Sequence, residues 1–303
     1  MKYLKIRSRR RHLKISGFNP AAVELKSSQP VWVDLENNPT SAINMADLPH
    51  PDEVLSGKCL LSLDLLRLRC PDSFVCGSLQ SNYAVWSEYM TGVPGFEAVR
   101  PWLRDGVHIP SFFQPYKGVF NGRVFDSATP PPQFYQNAPV CDEFEGFVSD
   151  EILKRLAEGS VMHLGELGAV SPPRVINALS VATTGKMRLI LSMRGPNNWC
   201  RDTPFSLTPL SEIVRHLSLG EFFSSTDDVQ GYKHLRLTRE SFQYCGFEWG
   251  GHLFCDTTLP FGWKNSAYVY TTVGEVLSAW LRQRGVHTSL WIHDRFVGLA
   301  PYL

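Results

Sequence analysis

The sequence predicts an α+β protein, an antiparallel sheet backed by helices. Three observations carry that expectation. Short β-rich runs recur in the second half, at Val175 to Val181, Met187 to Met193 and Phe222 to Thr226. Two more, Phe242 to Glu248 and Leu253 to Thr257, flank Gly250-Gly251, which suits a tight hairpin turn. A long segment, Ala267 to Arg284, then lines up Tyr270, Val273, Leu277, Trp280 and Leu281 at helical spacing, and Gly285 stops it. The order is strand, hairpin, helix, hairpin.

Residues 1–95 form an N-terminal region of unclear fold. Lys2, Lys5, Arg7, Arg9, Arg10, Arg11 and Lys14 make a basic arm. It reads as a nuclear targeting patch or as a solvated terminus. Val54 to Leu68 alternates leucines with polar residues and fits a helix or a buried strand. Residues 96–147 are rich in aromatics and turns. Phe112, Phe113, Tyr116, Phe120, Phe125, Phe134 and Tyr135 lie among glycines and prolines, with Pro130-Pro131-Pro132 as a stiff extended piece. This loop-rich stretch is expected to wrap and dock its aromatics on another surface, with little regular structure of its own.

Residues 148–303 carry the sharper signals. Ser149 or Asp150 caps a helix through Ile152, Leu153, Leu156 and Ala157, which ends at Gly159. Ser206 to Leu217 reads as a second amphipathic helix, with Leu210, Ile213, Val214 and Leu217 on one stripe. The Phe222 strand runs into Asp227-Asp228. Thr288 to Ile292 and Phe296 to Leu299 form the last hairpin, with His293-Asp294 at its tip.

Composition removes several function classes. The formal net charge of the 303 residues is +1, so no global field marks a nucleic-acid binder. No apolar run reaches the roughly 20 residues of a membrane span, and no apolar block follows the basic N-terminus as in a secretory signal. Seven cysteines, an odd number without a Cys-x-x-Cys, fit reduced thiols in an intracellular compartment, nucleus or cytoplasm. Cys245, His252 and Cys255 stand as either a zinc set or plain buried thiols.

The chemistry-bearing residues are acids. Phosphoryl transfer onto a 3′-hydroxyl uses two divalent ions about 4 Å apart. Such ions want hard oxygen ligands, so carboxylates must converge. Asp227 at a strand end and Asp294 at a hairpin tip are the candidate pair. Acids near turns are common on any surface, and it is the blocks around these two that single them out.

Phe223-Ser224-Ser225-Thr226-Asp227 with Gly231-Tyr232 resembles motif A of reverse transcriptases. Leu259 to Ser266, reading LPFGWKNS, resembles motif B. Lys186 to Leu191, with Arg194 and Asn197, resembles the strand of the fingers that meets the nucleotide. Trp291-Ile292-His293-Asp294 falls where the Tyr-x-Asp-Asp hairpin belongs. Gly246-Phe247-Glu248-Trp249-Gly250-Gly251, Asp294-Arg295 and Trp102 to Val107 narrow the resemblance to reverse transcriptases of DIRS-type retrotransposons.

The resemblance implies a right-hand polymerase with fingers and palm, a member of the DNA/RNA polymerase superfamily acting as an RNA-directed DNA polymerase. Asp227 and Asp294 would bind Mg2+ or Mn2+. Tyr232 would stack under the nucleotide sugar and exclude a 2′-hydroxyl. Lys186 and Arg188 would contact the triphosphate. Phe261, Gly262 and Lys264 would support the nucleotide and the templating pair. The partners implied are an RNA or DNA template–primer and dNTPs, with no membrane. Taken singly, Tyr232 reads better as core, Arg188 as a solvated strand residue and Gly262 as a turn residue, and it is the order of the four blocks that favours the family positions.

Three departures bear on activity. The first acid of the family's hairpin pair is His293 here, a softer ligand that removes a negative charge. Asp228 is a poor substitute, because neighbours on a strand face opposite ways. Ser192 stands where the family has an acid in the fingers strand, and the sequence stops before a thumb or RNase H segment. The expectation is a reverse-transcriptase-like nucleotidyltransferase domain that is incomplete and inactive. The alternative is a transposon-derived module that binds nucleic acid or protein without catalysis.

Overall fold

The computed structural model describes residues 76–207, 222–292 and 294–299. The basic arm, the Val54 to Leu68 run, the Ser206 to Leu217 helix beyond Leu207, and His293 lie outside the described residues.

Helical spacing of apolar residues builds the N-terminal helices α1 (Tyr83–Met90) and α2 (Phe96–Asp105). Phe96, Val99 and Leu103 of α2 are each 0% exposed. That buried stripe outweighs Pro101, which sits inside the helix and forfeits a backbone hydrogen bond. The prolines had suggested an irregular segment, and the structure corrects this. Strands β1 (Tyr116–Phe120) and β2 (Arg123–Ser127) form a hairpin. Its turn, Asn121-Gly122, has both φ angles positive, at 48° and 73°, as a two-residue primed turn requires. Tyr116 and Phe125 pack their rings against Trp199 at 4.9 and 5.2 Å.

After β3 (Gln133–Phe134), helix α3 spans Glu145–Glu158 and ends at Gly159, φ 75°. It starts more than one turn before the expected cap. Ser149 caps nothing: it is buried, and its Oγ accepts the Trp249 Nε1–H at 3.0 Å. Then come β4 (Val161–Glu166), β5 (Val175–Ala182), β6 (Arg188–Ser192), β7 (Phe222–Asp227), β8 (Gly246–Trp249) and β9 (His252–Asp256). Helix α4 (Ser266–Arg282) leads to β10 (His287–Trp291) and β11 (Asp294–Leu299).

The strands form two larger sheets. One has six strands in the order β3-β5-β8-β9-β4, with β6 paired to β5. The other has three, in the order β10-β11-β7. The second is antiparallel and α4 packs on β10, as expected. The first is mixed, because β5 runs parallel to both β3 and β8. Hairpin neighbours must be antiparallel, whereas β5 reaches β8 only after a long excursion, which permits parallel pairing. Gly250 and Gly251, φ 58° and 87°, turn β8 into β9 as the sequence predicts. That pairing leaves Cys245 and Cys255 as buried thiols. Among the described residues, no helix is long and apolar enough to cross a membrane.

The core joins the helices to both sheets. Phe112 meets Trp263 edge-on at 5.0 Å, and Trp263 donates its indole N–H to Cys200 Sγ at 3.2 Å. One buried group runs against this apolar logic. Asp256, at the end of β9, is 6% exposed, and burial raises its pKa from 3.8 to about 6 although Arg155 and Lys233 pull it down. An acid whose folded pKa is raised stabilises the fold below 3.8 and loses that contribution as pH rises through about 6. Asp256→Asn is therefore expected to stabilise the chain at pH 8 by on the order of 2–3 kcal/mol. At pH 4 it should change stability little. Urea midpoints at the two pH values check this, and equal shifts at both would refute it.

Candidate functional site

Antiparallel pairing of β7 with β11 puts Asp227 directly opposite Asp294. Facing residues in such a pair have Cα atoms about 4.5–5.5 Å apart. Both side chains are exposed. The sequence reading placed Asp294 at the hairpin tip, and the structure moves it. Trp291 pairs with Asp294, and Asp294 opens β11. That shift brings it level with Asp227.

The turn is strained. Ile292 has φ 54°, a conformation that costs a β-branched residue roughly 1–2 kcal/mol. Its side chain packs against the core, which holds it there. Gln230, just beyond the other acid, also has a positive φ, 57°. The remaining such residue outside glycine, among those described, is Asn121 in its hairpin turn. Strain thus gathers on both sides of the acid pair, as it does at sites where position matters.

Beneath the acids lies a polar support. The Tyr270 hydroxyl on α4 donates to Asp228 Oδ2. Burial, then this bond to Asp228, lifts the Tyr270 pKa far above the ordinary tyrosine value. Arg295 follows Asp294 on β11 and so faces the other way, into the protein. It is 9% exposed. Its Nη1 donates to Ser278 Oγ at 2.7 Å and its Nη2 to the Gly274 carbonyl at 2.9 Å. Those acceptors are neutral, so the acids that answer the guanidinium through space are Asp228 and Glu275. Burial lowers the Arg295 pKa against their pull. Asp228 is committed to this support, in keeping with its strand-end position beside Asp227.

Tyr232 stands next to the support. Its ring lies 5.0 Å from Phe261 and 5.5 Å from Tyr270, and burial raises its pKa. The turn that carries it, Gly231–His234, is tied down on several sides. Lys233 pairs with Glu158 at the end of α3, and Gln230 Nε2 donates to the same carboxylate at 3.3 Å. His234 Nε2 lies 2.9 Å from the Val229 carbonyl, which only accepts, so the proton is on Nε2. Ser78 Oγ then donates to His234 Nδ1 at 2.6 Å.

Phe261 is 71% exposed, and the next residue explains how it is held out. A Cβ on Gly262 would sit 1.8 Å from the Leu191 carbonyl of β6. Asn197 closes the contact from both ends, donating from Nδ2 to the Gly262 carbonyl at 2.9 Å and accepting the Lys264 N–H at 3.1 Å. Lys264 itself pairs with Asp202 at 2.8 Å. Lys186 and Arg188 are exposed, and both belong to the β5–β6 hairpin of the six-stranded sheet. The structure therefore joins Tyr232, Phe261 and Gly262 in one cluster and pairs Asp227 with Asp294. It leaves Lys186 and Arg188 on the other sheet.

Sequence reasoning missed three supporting residues. Tyr270 was assigned to the buried stripe of α4, and Arg295 and Asn197 only to quoted motifs. The available signal for Arg295 was alternation: a residue between exposed Asp294 and its next-but-one neighbour must face inward.

The chain matches no protein-family model. It is 21% identical over 145 residues to an enzymatic polyprotein of Cassava vein mosaic virus, a match covering 48% of this chain and 22% of that protein. Among solved structures it is similar to the protease–reverse transcriptase of prototype foamy virus, at 16% identity and a TM-score of 0.45. That similarity covers 83% of this chain and 29% of the other. A foamy viral protease–reverse transcriptase in complex with double-stranded DNA gives 16% identity and a TM-score of 0.44, covering 74% and 38%. The chain thus spans well under half the length of each of these three proteins.

Two outcomes follow from this geometry. Gly262→Ala is expected to destabilise the chain by about 1–3 kcal/mol, since its new methyl meets backbone and cannot be accommodated by a rotamer change. A wild-type denaturation midpoint would show that the Leu191 contact yields. Asp227→Asn is expected to stabilise the chain by about 0.2–1 kcal/mol in EDTA, because like charges facing each other across strands repel. Destabilisation there would mean that Asp227 has a structural partner.

Proposed function

We propose that this chain is a reverse-transcriptase-like domain, an RNA-directed DNA polymerase by ancestry and of DIRS-type retrotransposon origin, whose catalytic step has been lost. The observation that carries the reading is the register that sets Asp227 against Asp294 beside the Tyr232–Phe261–Gly262 cluster. In this reading β7, β10, β11 and α4 are the palm, and the β5–β6 hairpin belongs to the fingers.

The residues present suit a hard divalent ion. Two opposed carboxylates repel, a cation between them relieves that repulsion, and oxygen donors match Mg2+ or Mn2+. Asp227 and Asp294 would hold it. When bound, such an ion supplies charge neutralisation for phosphoryl transfer and acidifies an attacking hydroxyl. The rest falls to the protein. Tyr232, braced by Phe261 and Tyr270, would stack under the nucleotide sugar and exclude a 2′-hydroxyl. Lys186 and Arg188, exposed on the fingers hairpin, supply cations for the triphosphate of a dNTP. Asp228 stays with Tyr270 and does not serve as a ligand.

The loss of catalysis rests on His293. Where the family places an acid, imidazole brings no negative charge and disfavours magnesium. A second reading, a module that binds nucleic acid or protein without catalysis, is favoured by Phe261 and Trp291, which are 71% and 47% exposed. Exposed aromatic rings of this kind stack on bases whatever the sequence.

One experiment separates these outcomes. Purified chain with a primed RNA template, dNTPs and Mg2+ is expected to extend no primer. Extension that Asp227→Ala abolishes would overturn the loss of catalysis and leave the ancestry standing. Template–primer is expected to bind weakly, with affinity falling steeply as salt rises through counterion release. Binding insensitive to salt would overturn the nucleic-acid reading.

A further inference from the structure

The formal net charge of +1 conceals a sharp partition. The seven cations of the basic arm, Lys2 to Lys14, all precede the first acid, Glu24. Removing those seven from the 30 lysines and arginines leaves 23 against all 29 acids, so residues 15–303 carry a formal charge of −6. The arm lies outside the described residues, and its charge is fixed by the sequence alone.

The folded part shares the shortage of positive charge. Among the described residues, acids outnumber lysines and arginines. Several of those cations are already paired: Lys233 with Glu158, Lys264 with Asp202, Arg104 with Asp105 and Arg282 with Glu275. Asp227 and Asp294, exposed and opposed across β7 and β11, add negative potential at the candidate site itself. Lys186 and Arg188 are exposed cations, but they stand on the other sheet.

A nucleic acid is a dense line of negative charge, and a protein gains affinity for it by neutralising phosphates and releasing their counterions. A body of net negative charge does not draw such a polyanion in from beyond a Debye length, roughly 8 Å at physiological salt. Rings such as Phe261 and Trp291 act only once bases touch them. A block of seven cations with no acid among them does supply that attraction. Four of the seven are arginines, whose forked donors match phosphate oxygens.

We propose that the arm, Lys2 to Lys14, is the phosphate-binding element of this chain, and that its partner is the backbone of a nucleic acid, held without regard to base sequence. The proposal rests on the reading of the chain as a nucleic-acid binder and assigns the source of the affinity. The arm provides attraction at a distance, and the exposed rings engage unpaired bases at contact. Neutralising seven phosphates gives the logarithm of affinity a slope of about −6 against the logarithm of salt on a duplex, and about −5 on a single strand.

The test is binding of the full chain to a labelled duplex and to a labelled single strand of mixed sequence, followed by fluorescence anisotropy across a range of KCl concentrations. The intact chain is expected to bind both, with affinity falling steeply as salt rises. A full-length variant carrying Arg7→Gln, Arg9→Gln, Arg10→Gln and Arg11→Gln should lose about three to four units of that slope on the duplex and bind at least about tenfold more weakly at low salt. Phe261→Ala should weaken single-strand binding and leave the slope unchanged. A parent-like slope in the arginine variant would overturn the proposal, leave nucleic-acid binding by the rest of the chain standing and return the arm to a targeting role. Failure of the intact chain to bind either nucleic acid at low salt would overturn the proposal and the nucleic-acid reading together.

Discussion

The pairing of β7 with β11 is the constraint from which the site's geometry follows. Side chains alternate along a strand with a period of two, so a slip of one residue would turn each of them to the other face. In the observed register Asp294 meets Asp227 outside, while Arg295 meets Thr226 and enters the protein. A slip would bury a carboxylate in place of the guanidinium and break the bonds to Ser278 and Gly274. The buried arginine therefore locks the register, and the register opposes the two acids. Neutral hydrogen bonds around Arg295 and the packing of Ile292 hold this register.

A second constraint links this sheet to the other. Tyr270 reaches Asp228 with its hydroxyl and Tyr232 with its ring, Tyr232 meets Phe261, and Gly262 abuts the Leu191 carbonyl of β6. Each link is a different kind of contact: a charged hydrogen bond, two aromatic contacts and a backbone approach that admits no side chain. The series runs from the acid pair to the strand beside the exposed Lys186 and Arg188. Asn197 keeps its last step short by bonding both ends of the Gly262 turn. Without that clamp, Phe261 would bury itself more readily than remain 71% exposed.

Much of this was legible in the sequence because it depends on local rules. Gly250-Gly251 marks a primed hairpin turn, Gly159 and Gly285 mark helix ends, and the apolar stripe of α4 has an unambiguous period. What stayed hidden depends on partners remote in the chain. The loop-rich reading of residues 96–147 left no room for α2, and burial of Phe96, Val99 and Leu103 by the rest of the core outweighs the proline inside that helix. Ser149 looks like a helix cap until Trp249, a hundred residues on, claims its hydroxyl. The parallel pairing of β5 with β8 leaves no local trace, since both strands read equally well in either direction. The hairpin turn Asn121-Gly122 was legible and was masked by the surrounding prolines and aromatics.

The acid pair and its support also differ in what they tolerate. Asp227 and Asp294 are exposed and touch little, so selection for activity would have to maintain them, whereas Arg295, Tyr270 and Gly262 are buried or crowded and are maintained by folding itself. The same reasoning applies to the segments around Tyr232 and Gly262. Tyr232 and Trp263 are buried in the core, and Gly262 is crowded by the Leu191 carbonyl, so packing alone holds all three.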